Sequence, residues 1–295
     1  MALTLPCASD RIATVEEVLD AVRRLPERDD PQALATLAPL LGALANDREL
    51  IVRQLNRRLT GSVAGGSTRI AQSIPLGAEP GFRLRANIWP SMADLTAGRV
   101  QMAEPSYDVA HDHNFHFLTA ACFGTGYITE IYEYDAQAVE GYLGEPVALR
   151  FLERTQFRSG FAMLYRGARD VHAQFPPDEV SVTLSLMVEP PALQARDQYF
   201  FDLQRRTISG YGADTDTARR VDAVTMAGHA GNGETCQLLG DLARRHSCSR
   251  TRLAAYEALA RLLPLDAQEI WERAANDRAP LVSSEARARL AAGRG

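Results

Sequence analysis

Apolar positions along the chain fall into three zones of different period. From residue 14 to about 59 the period is helical. Val15, Val18, Leu19 and Val22 recur at three- and four-residue spacing, which predicts one buried helix face. Asp29-Asp30-Pro31 breaks the run and opens a second helix at Pro31, because proline suits the first helical position. Leu34, Leu37, Leu40 and Leu41 carry that helix, and residues 50–59 a third. The stretch Gly61-Ser62-Val63-Ala64-Gly65-Gly66-Ser67 reads as a flexible joint.

From about 69 to 211 the apolar residues become β-branched and aromatic, in short runs broken by Gly, Pro and Asp. Strands are predicted at 82–89, 111–123, 127–134, 147–156, 160–166, 180–188 and 198–209. Gly124-Thr125-Gly126 is a hairpin turn between two of them. Many short strands without intervening helices mean a sandwich or barrel, not a parallel α/β sheet. From about 215 the period is helical again, with helices at 238–245, 252–263, 267–276 and 283–292. Their spacing resembles a pair of helical hairpins, and a helical cap on the β-zone reads equally well. The chain therefore divides into a helical lead-in (1–68) packing on the β-zone, the β-zone itself (69–211) and a helical region (212–295).

Composition narrows the chemistry. The 295 residues are 46% hydrophobic and 23% charged, which suits a globular protein of one large domain or two modest ones. All 32 basic residues are arginine. Without lysine there is no Schiff base to a cofactor or carbonyl substrate and no phosphate-loop or kinase-type lysine. A GC-rich bacterial genome accounts for the bias, and arginine must supply all cationic recognition. The net charge of −5 argues against an obligate nucleic-acid binder. Cys7, Cys122, Cys236 and Cys248 show no CxxC spacing and read as reduced thiols. MALTLPCASD lacks the basic start and apolar core of a secretory signal. No apolar run approaches the ~20 residues of a membrane span. The expected location is cytoplasmic, with no membrane partner.

The candidate chemistry lies in the histidines. Three of the six fall in His111-Asp112-His113-Asn114-Phe115-His116, and a fourth is His172. On a strand, residues i and i+2 share a face, so His111 and His113 can reach one metal ion and His116 points away. His172 is the natural third donor. His229 and His246 lie in the helical tail and read as structural or surface residues. Nearby polar candidates are Tyr127, Glu130, Tyr132, Glu133, Tyr134, Tyr165 and Arg166. Glu130 could orient a ligand histidine or be a fourth ligand. Glu133 reads as a surface group, and Asp112 as a turn or surface group. Arg83 and Arg85 share parity on strand 82–89. They could hold an anionic substrate or a structural salt bridge. Phe115 and Phe117 read as core.

These residues carry a resemblance to the cupin superfamily. His111 and His113 with the glycine turn at 124–126 resemble its first motif, and His172 its second. The usual glutamate slot falls on Phe117 or Leu118, so the site resembles the three-histidine subgroup. The best-known members of that subgroup are the cysteine dioxygenase-like thiol dioxygenases. His-Asp-His at 111–113, Val171-His172, the run Val182-Thr183-Leu184-Ser185-Leu186, Pro190-Pro191 and the helical lead-in are similar to that group, over residues 14–191. The resemblance implies a mainly β fold, a cupin-type double-stranded β-helix barrel (jelly roll) flanked by N-terminal helices and a C-terminal helical segment. It also implies Fe(II) on His111, His113 and His172, O₂ as co-substrate, and a carboxylate anchor at Arg83 or Arg85.

Several departures mark the chain as divergent. The group carries, near the position of Leu118, a cysteine that crosslinks to a tyrosine; that crosslink is missing here, and Thr183, Ser185 and Met187 stand in place of the group's Ser-His-Tyr array. The region after 212 has no counterpart in that group. A substrate other than cysteine follows.

Three neutral imidazoles leave a +2 ion uncompensated and two or three positions open, and imidazole suits iron, copper, nickel or zinc. The reading that results is a non-haem iron oxygenase acting on a small heteroatom-bearing or anionic metabolite, a thiol or an amino-acid derivative. Tyr127, Glu130 and Tyr165 would serve catalysis, and Arg83, Arg85 and Arg166 substrate binding. Two others stand beside it. One is a non-redox isomerase, epimerase or lyase using Mn, Ni or Zn. The other is a metal-stabilised sensing or interaction module whose C-terminal helices bind a protein partner or a second copy.

Overall fold

The computed structural model describes residues 3–63, 72–99, 107–194, 196–213 and 215–292. By its internal contacts the chain forms two compact units, one of residues 1–135 with 148–194 and one of 136–147 with 195–295.

The first unit opens with strand β1 (Leu3–Pro6) and four helices, α1 (Val15–Arg23), α2 (Pro31–Ala35), α3 (Ala38–Ala45) and α4 (Glu49–Val63). Thr14 and Glu17 close a reciprocal capping box at the start of α1, which satisfies two backbone N–H groups left over at the helix end. Asp30 caps α2, with Pro31 in its first turn. Of the joint expected at 61–67, positions 61–63 belong to the last turn of α4, and 64–67 lie outside the described residues.

Nine further strands follow: β2 (Ser73–Glu79), β3 (Phe82–Trp89), β4 (Ala110–His111), β5 (His116–Phe123), β6 (Ile128–Glu133), β7 (Arg150–Gln156), β8 (Phe161–Tyr165), β9 (Asp170–Phe175) and β10 (Ser181–Val188). Two short helices, α5 (Met92–Thr96) and α6 (Pro191–Gln194), follow β3 and β10. All the pairings are antiparallel, in one sheet ordered β1-β8-β5-β10-β3-β2 and a second in which β4, β9, β6 and β7 are neighbours.

Strand alternation sorts the first sheet into two faces. Leu84, Leu186, Leu118 and Leu164 stand in one register row and are buried with Leu34, Leu41 and Leu44 of the helices. On the opposite face the rows are Arg83, Met187, Phe117 and Tyr165, then Arg85, Ser185, Thr119 and Met163. This face meets the second sheet, since Phe117, Met163, Tyr165 and Met187 share a buried cluster with Ile131 of β6 and with Tyr127 and Phe157. The mainly β architecture expected for the middle of the chain is present as two antiparallel sheets with helices on the outer face of one.

Several expected strands differ in detail. The stretch 111–123 is two strands, because the chain leaves the ladder after His111 and re-enters at His116. Long-range bonds hold the break open. The Tyr134 hydroxyl donates to Asp112 Oδ2 at 2.6 Å, and the Ala168 N–H to the His113 carbonyl at 2.7 Å. His172 lies inside a strand, β9, and β1 and β2 are further strands that short length and the interruptions at Pro75 and Gly77 hide in the sequence.

In the second unit the expected strand 198–209 is a hairpin, β11 (Tyr199–Asp202) and β12 (Thr207–Tyr211). It turns where Asp202 Oδ1 accepts the N–H groups of Gln204 and Arg205. Five helices follow, α7 (Asp216–Ala230), α8 (Gly233–Arg245), α9 (Ser249–Leu262), α10 (Ala267–Ala274) and α11 (Pro280–Ala292). Ala255, Ala258 and Leu259 of α9 are buried with Val224, Leu239, Trp271 and Val282 from the other four. Arg252 forms a buried bidentate pair with Asp277. No described helix is long and apolar enough to cross a membrane.

The turn between β5 and β6 depends on Gly126. Its φ is +79°, and a Cβ there would lie 1.8 Å from the Phe157 carbonyl oxygen. Gly126→Ala is therefore expected to destabilise the protein by about 2–4 kcal/mol in urea unfolding. Gly98→Ala, also at positive φ but with open space around it, should lose only about 1 kcal/mol. Equal losses would contradict the steric account.

Candidate metal centre

His111 ends β4 directly opposite His172 of β9. His113 arrives from the irregular segment that follows and is stacked on Phe115 at 4.4 Å between ring centroids. One ligand atom from each of the three imidazoles lies within 4.8 Å of the others. The Nε2 atoms of His172 and His113 are 3.1 Å apart. Two imidazoles on one metal ion at ~2.1 Å, at angles between a right angle and tetrahedral, place their nitrogens about 2.9–3.4 Å apart. The donor set therefore fits a divalent transition metal.

The remaining ring nitrogens fix the orientation. His111 Nδ1 meets the Val109 carbonyl at 2.8 Å, so it carries the proton and Nε2 is the donor atom. His172 Nδ1 meets the side-chain amide of Gln174 at 2.5 Å. In the amide orientation compatible with a metal, Nδ1–H donates to Oε1. Burial holds the pKa of His111 below the ordinary histidine value, against the opposing effect of the Val109 bond. Burial, then the charges of His111 and His113, holds His172 well below it. Both are neutral near pH 7, the state that binds metal.

The surroundings are aromatic. Phe117 and Tyr165 stack at 4.5 Å, and the Tyr165 ring is 4.6 Å from that of His172. Tyr127 and Tyr165 are almost fully buried, and the Tyr165 hydroxyl lies 3.4 Å from Thr129 Oγ1. Across the interior wall, Asn87 Nδ2 donates to Ser185 Oγ (2.9 Å), which donates to Thr119 Oγ1 (3.0 Å).

The other sequence candidates separate. Glu130 has the opposite parity to the inward Thr129 and Ile131 and is engaged by Arg154 and by the Tyr132 hydroxyl, so it neither orients nor ligates the histidines. Arg166 is clamped by Asp170 and Glu133 and closes the β8–β9 hairpin, so it is not presented to a substrate. Arg83 pairs with Glu189 at a half-exposed position. Asp112, expected at a turn or surface, is fully buried. Arg85 differs from the rest. Its Nε is buried without a hydrogen-bond partner, and among the described residues it forms no ion pair. Burial, then the charge of Arg83, pulls its pKa down to about 10.

His116 is turned away from the triad, and its Nδ1 accepts the Gly167 N–H at 2.9 Å. His229 and His246 lie in and just after helices of the second unit. Gln174 and the Asn87–Ser185–Thr119 ladder escape a reading centred on histidine, although Gln174 stands two residues from His172 and so on its face.

No protein-family profile and no curated protein matches the chain. Among solved structures it is similar to a salicylate 1,2-dioxygenase from Pseudaminobacter salicylatoxidans, at 10% identity and a TM-score of 0.29 over 52% of this chain and 37% of that one. It is also similar to a hydroquinone 1,2-dioxygenase from Sphingomonas sp. TTNP3, at 11% identity and a TM-score of 0.26 over 43% of this chain and 70% of that one. A third is a cupin domain from Bordetella pertussis Tohama I, at 10% identity and a TM-score of 0.24 over 42% of this chain and 100% of that one. The match spans little more than a third of the salicylate dioxygenase. Likenesses this slight carry no argument about activity.

In a Co(II) or Zn(II) titration the protein is expected to bind one equivalent, and His172→Ala to lose it. Gln174→Leu should weaken binding ~10–100-fold, while Gln174→Glu, which keeps an acceptor for Nδ1–H, retains it. Full affinity in His172→Ala would remove that residue from the ligand set.

Burial also holds His116 below the usual histidine pKa, the same direction as His111 and His172. The unfolded chain takes up protons below about pH 6.5 that the folded interior resists. Stability of the metal-free protein is thus complete above that pH and lost as pH falls through the lower folded values. The urea midpoint should drop on acidification. His116→Asn, whose Oδ1 can take the Gly167 N–H, should drop less steeply. A midpoint that rises in acid would contradict this.

Proposed function

We propose that the first unit is a cupin-type, metal-dependent oxygenase that uses Fe(II) and O₂ on a small anionic substrate. The observation that carries the reading is the convergence of three imidazoles, with no carboxylate among the grouped ligands, in an aromatic interior that also holds Arg85, whose buried Nε has no hydrogen-bond partner among the described residues. Fe(II) held by His111, His113 and His172 would supply the redox chemistry for O₂ and a substrate heteroatom.

The chain's own residues would do the following. His111, His113 and His172 hold the ion through Nε2, with Val109 and Gln174 fixing the first and last of them. Arg85 binds the substrate anion. Its buried Nε–H has no hydrogen-bond partner among the described residues, and a carboxylate seated on the guanidinium would satisfy it while setting the direction from which the reacting end approaches the triad. Asn87, Ser185 and Thr119 offer hydrogen bonds to polar substituents. Phe115, Phe117 and Tyr165 exclude water around the triad. Tyr165, with burial keeping its phenol protonated, can hold a hydrogen bond to a bound group without adding negative charge.

The finer reading, a thiol or amino-acid derivative as substrate, rests on the sequence resemblance to thiol dioxygenases. The aromatic wall favours a second class, a carboxylate carried on an aromatic ring. Iron-loaded protein is expected to consume O₂ with at least one member of a panel of mercapto-carboxylates and hydroxybenzoates. Arg85→Met should then lose ~100-fold in kcat/KM. No uptake with any member would contradict the oxygenase reading and favour a non-redox cupin enzyme using Mn, Ni or Zn.

A further inference from the structure

The two sheets of the first unit leave an opening at the edge where β1 and β8 meet β7. A cavity of about 290 Å³ lies there, and its lining includes Thr4, Thr155, Phe157, Arg158, Phe161 and Met163. Thr4 stands opposite Met163 in the β1–β8 ladder, and Thr155 opposite the inward Thr129 in the β6–β7 ladder. Strand alternation therefore turns Thr4, Phe161, Met163 and Thr155 toward the space between the sheets. The Thr4 hydroxyl donates to Glu153 Oε1 of β7 at 3.3 Å, which ties the two edge strands together.

The inner end of the cavity is apolar and leads toward the triad. Phe161, Met163 and Tyr165 follow one another along the inner face of β8, about 7 Å apart. Phe161 is 37% exposed, whereas Met163 and Tyr165 are each 1% exposed. The Tyr165 ring lies 4.6 Å from that of His172, and its hydroxyl lies 3.4 Å from Thr129 Oγ1. Phe157 and Met163 share a buried cluster with Phe117 and Tyr165. The cavity thus ends on Met163, which stands between it and the rings around the triad. An unbranched methionine side chain, with three rotatable bonds, yields more readily than a branched or aromatic one. Arg85 lies away from this edge. It is on β3, three strands from β8 in the same sheet, about 14 Å across. An anion held at Arg85 leaves the cavity free, and the apolar inner end of the cavity suits a small uncharged molecule.

We propose that this cavity takes up dioxygen and that Met163 passes it to the triad, so that the gas and the anionic substrate arrive from opposite edges of the sheet. The identity of the gas rests on the oxygenase reading, whereas the uptake of a small apolar molecule rests on the cavity alone.

Crystals of the full-length protein pressurised with xenon test the site without metal or substrate, because xenon fills apolar cavities. The expected result is a xenon atom against Met163 and Phe157. Thr155→Phe, which places a ring in the cavity from a half-buried position on an edge strand, should lose it. Phe161→Trp, at the exposed mouth, is the second variant if Thr155→Phe does not fold. In iron-loaded protein turning over a mercapto-carboxylate or hydroxybenzoate, Thr155→Phe should raise KM for O₂ several-fold. KM for the organic substrate and kcat at saturating O₂ should stay unchanged. Xenon absent from the cavity, or KM for O₂ unmoved by a variant that excludes xenon, overturns the proposal and leaves the oxygenase reading standing. Xenon bound in a protein that consumes no O₂ with any substrate overturns the oxygenase reading, and the assignment of dioxygen falls with it.

Discussion

The antiparallel pairing of His111 with His172 is the constraint on which the site depends. It brings two imidazoles, 61 positions apart in the sequence, into direct opposition across β4 and β9. A slip of one residue on either strand would turn one ring to the far side of the sheet. Neighbouring bonds pin this register. β9 is held on its other edge by β6, where Ile131 faces His172. The Asp108 N–H bonds the Gln174 carbonyl, and the Tyr134 hydroxyl holds the buried Asp112. The segment from Asp112 to Phe115 can then leave the ladder without losing its place, and that departure swings His113 toward the other two.

Electrostatics follow from the same burial. His111 and His172 are neutral because burial disfavours imidazolium, and neutral imidazoles leave the charge of a divalent ion intact. The cationic side chains nearby are mostly spent. Arg166 is taken by Asp170 and Glu133, and Arg83 by Glu189. Of the three, only Arg85 faces the interior with no ion pair among the described residues, its Nε buried without a hydrogen-bond partner. In a chain with no lysine, that makes Arg85, among these three arginines, the one open to an anionic ligand. The aromatic residues give this charged centre a low-dielectric wall, in which a metal and an anion each gain strength.

Much of this was legible in the sequence, though not always for the reason that operates. Strand β3 spans the residues its alternation predicts. His111 and His113 were linked by strand parity, yet the structure joins them through a break in the strand, because the buried Asp112 needs a long-range partner that no local pattern announces. Glu130 looked like a helper of the triad until its face was fixed by Thr129 and Ile131 beside it. Arg166, a substrate-binding candidate by sequence, is instead taken by Asp170 across the β8–β9 hairpin, a pairing that only the strand placement reveals. Gln174 was hidden only because His172 was not assigned to a strand. Once it is, the two-residue period puts the amide beside the imidazole.

The most direct measurement is anomalous diffraction from a crystal of the protein soaked in Zn(II) or grown with Fe(II). The account predicts one strong peak in the first unit, about 2.0–2.2 Å from the Nε2 atoms of His111, His113 and His172. A peak ligated by other residues, or a well-ordered triad with no peak at saturating metal, would contradict it.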